Sequence, residues 1–227
     1  MRTQGIMPTG IMRTGIIGRF ALLAAFTTAL CVHACALAAP ENAEIEAVWK
    51  KQQITFVYRG YSTFYTCSAL RQKLRSILTE LGARDTLTLH GYACDDSSGN
   101  ARFDVLLESP VAATEENVAA LTGYSSEQRL VARVRGEPLP GAADLERFPA
   151  SWETISFSRN RSMRLDAGDC ELVEQLLRAI LPLLSVQIVS NNLRCSPFGN
   201  LRPPRLTVLA LVAQQPDPSA VTNAAVP

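Results

Sequence analysis

The chain has 227 residues, with 22 Lys+Arg against 21 Asp+Glu, six cysteines and two histidines. A net charge of +1 without a basic cluster leaves no electrostatic footprint for nucleic acid or an anionic membrane. So few histidines, with cysteines better suited to disulfides, leave almost no transition-metal ligands, and no glycine-rich phosphate loop follows a strand, so no cofactor is expected.

Residues 1–38 read as a signal peptide. Arg13 and Arg19 precede an apolar run from Phe20 to Val32, and Ala36-Leu-Ala38 supplies the small residues that signal peptidase reads. Met12 offers an alternative start that shortens the signal. The apolar run is too short for a comfortable membrane span, and His33 just before Ala34 argues against a lipid anchor on Cys35. Processing would remove three arginines, leaving a slightly acidic chain.

The first repeat is placed at 39–109. A polar lead-in reaches Trp49, and Gln53–Tyr58 alternates as a strand with Ile54, Phe56 and Tyr58 on one face. After the connection 59–65, Leu70, Leu74, Ile77, Leu78 and Leu81 draw one face of an amphipathic helix from Cys67, with Thr66 as its cap and Gly82 as its stop. Thr86–His90 is a strand running towards Cys94, Asp95–Asn100 a turn, and Arg102–Leu107 the last strand. The inter-repeat insert, 110–150, holds a short helix near Glu115–Leu121 and an extra strand at Arg129–Arg135; Pro138, Pro140 and Pro149 mark a loop.

The second repeat, 151–212, takes the same course. Trp152 precedes a strand at Thr154–Ser158, and the connection 159–168 leads to a helix from Cys170, with Asp169 as cap and Pro182 ending it. Val186–Val189 and Arg205–Leu211 are its later strands, and the Pro/Ala-rich tail 213–227 reads as disordered. Residues 67–81 reappear at 170–184, 103 positions later, with seven of fifteen identical. An internally duplicated β-α-β-β unit follows. Two amphipathic helices need a sheet to cover, which gives an α+β class: largely antiparallel strands under both helices, with pseudo-twofold symmetry. Whether the halves share one sheet or form two is left open by periodicity. Each half carries a cysteine at its helix start and another 25–27 residues on, so Cys67–Cys94 and Cys170–Cys195 are the expected bonds.

His90 lies in a strand with no nucleophile signature around it. Asp95, Asp96, Ser98 and Asn100 lack the glycine and closing glutamate of a calcium loop and suit a turn. Arg75 and Arg178, off the apolar stripes, suit a solvated face. The two connections differ: Tyr58, Tyr61, Phe64 and Tyr65, with Tyr92 nearby, crowd the first, while Arg159, Arg161 and Arg164 occupy the second. Aromatics and arginine dominate binding hot spots, so these eight residues are the candidate binding surface.

Ala47-Val-Trp49, Thr63-Phe-Tyr-Thr-Cys67 and Gly168-Asp-Cys-Glu-Leu-Val-Glu-Gln175 together resemble an uncharacterised family of exported proteobacterial proteins. The resemblance implies secretion and disulfides, and carries no activity. The expectation is an exported periplasmic or extracellular binding protein for a protein, peptide or glycan ligand. Two alternatives stand beside it: a cofactor-free hydrolase using carboxylates or Ser/His90, and an inhibitor or structural partner that presents the loop 136–150.

Overall fold

The computed structural model describes residues 43–95, 99–198 and 202–214. The expected signal peptide, most of the tail and the centre of the predicted turn Asp95–Asn100 lie outside them. Six strands are described: β1 (Glu44–Arg59), β2 (Thr88–Asp95), β3 (Asn100–Ala112), β4 (Arg147–Ser156), β5 (Val186–Asn191) and β6 (Leu206–Ala213). They form one antiparallel sheet in the order β2-β3-β1-β4-β6-β5. The α+β class is therefore present, and the strands make one continuous sheet. Its central seam is short: β1 and β4 pair only from Glu44 opposite Ser151 to Val48 opposite Arg147.

The helix α1 (Cys67–Glu80) forms as its stripe dictates. Thr66 Oγ1 accepts from the Ala69 amide at 3.2 Å, and Leu70, Leu74, Ile77 and Leu78 are buried. Each such side chain contributes about 1.5–3 kcal/mol through removal from water. Gly82, at φ +91°, takes the left-handed stop. The helix α4 (Cys170–Ala179) buries Leu172, Val173 and Leu176, and a 3-10 turn carrying Pro182 follows it. Both helices pack against the same cluster, with Phe56, Phe103, Phe157 and Met163 at its centre. The disulfides Cys67–Cys94 and Cys170–Cys195 are present, with Cα separations of 5.9 and 5.5 Å.

Several expectations need correction. Residues 129–135 are not a strand; they belong to a helix, α3 (Ser126–Arg135), which follows a second insert helix, α2 (Glu115–Thr122). Leu130, Ala132 and Val134 imitate period two, but the ends decide: Ser125 and Gln128 form a capping box, and Gly136 at φ +68° closes the helix. Trp49 and Trp152 lie inside β1 and β4 rather than before them. The polar-looking lead-in conceals alternation, with Ile45 and Ala47 set between exposed Glu44 and Glu46. Pro149 likewise sits in β4 and not in a loop, and its carbonyl accepts the Gln214 amide at 3.0 Å. That bond, and β6 reaching Ala213, put the first residues of the expected tail in the sheet.

Asp169 occupies the N-cap position of α4, but its side chain makes no capping hydrogen bond. The 3-10 turn Ala167–Asp169 precedes that helix, and Asp166 accepts from the Gly168 amide at 2.8 Å. The Asp169 carboxylate is buried elsewhere, as described next.

Candidate functional site

The connection from β1 to α1 is held from beneath by the start of α4. Glu171 sits in the first turn of that helix, where a carboxylate is favoured, and is 6% exposed. It accepts from the backbone amides of Tyr61 and Ser62 at 2.9 and 3.0 Å and from Ser62 Oγ at 2.8 Å. One turn later, Gln175 accepts from the Arg59 amide at 2.9 Å and donates to the Arg59 carbonyl at 2.8 Å. Gly60 makes the turn possible, because a Cβ there would lie 2.2 Å from the Thr63 carbonyl oxygen.

Two tyrosines point inward from this connection. Tyr58 donates to the Thr63 carbonyl at 2.8 Å, and Tyr65 donates to Asp169 Oδ1 at 2.5 Å. Their rings meet edge to face with centroids 5.2 Å apart. Asp169 is 0% exposed, and its Oδ2 accepts from Lys73 Nζ at 2.5 Å and from the Asp166 amide at 2.7 Å. Burial, then the hydrogen bond to Asp169, pushes the Tyr65 hydroxyl far above its usual range; burial, then the charges of Glu171 and Asp169, raises Tyr58. Full burial closes the Asp169 carboxylate to any substrate atom. The Tyr65–Asp169–Lys73 arrangement ties α1 to the start of α4.

The other two aromatics point outward. Tyr61 is 76% exposed and Phe64 is 59% exposed. Phe64 lies against Gly99, where an added Cβ would fall 2.3 Å from its ring. Tyr61 borders a groove of about 380 Å³, with Arg59, Glu174, Arg178, Ser196 and Pro197 among its walls. Arg178 pairs with Glu174 across one helical turn.

The remaining predicted residues go elsewhere. Tyr92 stands on the sheet face turned away from the helices, with Arg102 over its ring and its hydroxyl donating to Asp104 at 3.1 Å. Arg161 and Arg164 are exposed on the turn before α4; Arg164, at φ +50°, directs its carbonyl to Lys73 Nζ at 3.0 Å. Arg159 lines a different groove, on the sheet face opposite α1 and α4. The arginines beside Tyr61 are therefore Arg59 and Arg178. His90 is exposed on β2 opposite Asp104, and its ring bonds to no nucleophile or carboxylate among the described residues.

Glu171 and Gln175 escaped the sequence reading because their partners lie 109–116 residues away. The available signal was Glu171 itself, an acidic residue directly after the cysteine that opens a helix. Among the described residues no helix is long and apolar enough to cross a membrane, and no cluster of ligating side chains suits a metal. The chain matches no protein-family model, no curated protein and no solved structure.

Proposed function

We propose that this chain is an exported, cofactor-free binding protein that recognises a protein, peptide or glycan through Tyr61 and Phe64. The observation that carries the reading is the contrast between backbone and side chain. The backbone of 59–62 is fixed by a buried carboxylate and a reciprocal amide pair, while two large aromatics beside it stay open. A fixed backbone lowers the ordering cost of binding, and aromatic anchors with arginine neighbours dominate hot spots. The two disulfides and the signal-like N-terminus support export. The like succession of strand, helix, strand, strand in 39–109 and 151–212 supports duplication.

The test places a photo-crosslinking phenylalanine analogue at position 61 in the native host, with position 134 as control, since Val134 is 80% exposed. One dominant adduct is expected from position 61 and none from 134. Equal capture at both positions refutes the reading. For the partner so identified, Tyr61→Ala with Phe64→Ala should weaken binding at least tenfold by calorimetry, with Tm unchanged.

A further inference from the structure

The sheet face opposite α1 and α4 carries a second concavity, which shares no lining residue with the groove at Tyr61. It encloses about 610 Å³ beside Thr154, Ser156, Ser158, Ser190, Asn192 and Thr207, and three arginines, Arg159, Arg202 and Arg205, complete its wall. The register explains the arrangement. Ser156 pairs with Thr207 and Thr207 with Ser190, so three hydroxyls line up across β4, β6 and β5. Ile155, Phe157, Leu206 and Val208 alternate with these positions and enter the core. The irregularity between Ile188 and Ser190 in β5 resets that strand so that Ser190 joins the row. Arg205 extends the same face of β6 two residues before Thr207, and Arg159 follows the end of β4.

All three arginines are exposed, and none makes an ion pair or a side-chain hydrogen bond among the described residues. Elsewhere arginines are engaged by carboxylates: Arg84 bonds to Glu108 and Glu146, and Arg147 to Glu46. Three guanidiniums around a concavity with no carboxylate among the described residues of its wall favour an anion. No aromatic ring among the described residues lines it, so they offer no stacking platform of the kind that single-stranded nucleic acid needs. What accompanies the arginines is a set of neutral hydroxyls, neighbouring members of the row being about 4.8 Å apart across adjacent strands. Hydroxyls at that spacing suit a ligand that carries hydroxyls of its own.

We infer that this groove binds an acidic oligosaccharide, its carboxylate or sulfate groups taken by Arg159, Arg202 and Arg205 and its hydroxyls by the Ser156–Thr207–Ser190 row. This site is separate from the one at Tyr61 and does not rest on it.

The purified protein is titrated by calorimetry with an oligogalacturonate hexamer, for carboxylate, and a heparin-derived hexasaccharide, for sulfate. Neutral maltohexaose and a hexaglutamate peptide are the comparisons. At least one acidic hexasaccharide should bind tenfold or more tightly than maltohexaose or hexaglutamate, and the preferred one identifies the anion. Arg202→Gln with Arg205→Gln should weaken that binding at least tenfold and flatten its salt dependence. Ser190→Ala with Thr207→Val should weaken it several-fold at unchanged salt dependence, while Tyr61→Ala leaves it intact. Unchanged Tm in each variant shows that folding is preserved. The inference is overturned if neither acidic sugar binds, if the arginine variant binds as wild type does, if hexaglutamate binds equally well, or if Tyr61→Ala alone abolishes binding.

Discussion

Because Asp169 is fully buried, its charge depends wholly on donors from the protein. Tyr65, Lys73 and the Asp166 amide supply three, on both carboxylate oxygens. Removing one side of such a pair leaves a buried charge uncompensated and costs about 3–5 kcal/mol. Lys73→Met should therefore lower the urea midpoint far more than a Lys73→Met, Asp169→Leu double variant, in which both charges are gone. Tyr65 adds a pH dependence. Its hydroxyl, like that of Tyr58, is held above its unfolded value. Below about pH 10 both states keep these protons and stability is unaffected. Above it the unfolded chain releases protons that the folded chain retains, so stability falls by about 1.4 kcal/mol per pH unit for each tyrosine. Urea unfolding at pH 9–11 should show a steep alkaline loss, with Tyr65→Phe less steep than wild type. None of this was legible in the sequence, where Asp169 reads as an ordinary helix cap. Capping is a local property, whereas the Asp169 partners Tyr65 and Lys73 come from the other half of the chain.

At the scale of elements, periodicity was informative wherever one face is buried and misleading where it is not. α1 and α4 cover the core, and their stripes identify them. α3 buries little, so Leu130, Val131 and Val134 remain exposed and its pattern carries no core-facing signal. Its identity rests on its ends, the Ser125–Gln128 box and Gly136. Replacing Gly136 with Ala places a side chain at φ +68°, with nothing within 4 Å of the new Cβ. The cost is then conformational, about 1 kcal/mol, and should appear as faster amide exchange in 126–136 with the sheet unaffected. The strands erred chiefly in length. β1 runs through Glu44, Glu46 and Lys50, whose charges disguise the alternation of their neighbours.

The whole molecule was legible as two helices covering antiparallel strands, because two amphipathic stripes admit few other solutions. The strand order was not, since it depends on a seam of only a few pairs between β1 and β4. The disulfides fasten each half separately, closing loops of 27 and 25 residues. Each should contribute about 3.5 kcal/mol on the chain-entropy account. Reduction should shift the urea midpoint accordingly, and opening Cys170–Cys195 should also impair the Tyr61 groove, which Cys195 borders. The seam has a topological corollary. Glu44 lies opposite Ser151 and Ala213 opposite Ala150, so the outer ends of β1 and β6 flank adjacent residues of β4, about 10 Å apart. A short linker can join them, and the chain can instead be opened between Gly123 and Ser125, in the turn between the two insert helices. The circular permutant so formed would run α3, β4, α4, β5, β6, β1, α1, β2, β3, α2, with strand, helix, strand, strand again twice over between the two insert helices. Which half comes first is then a matter of where the ring is cut.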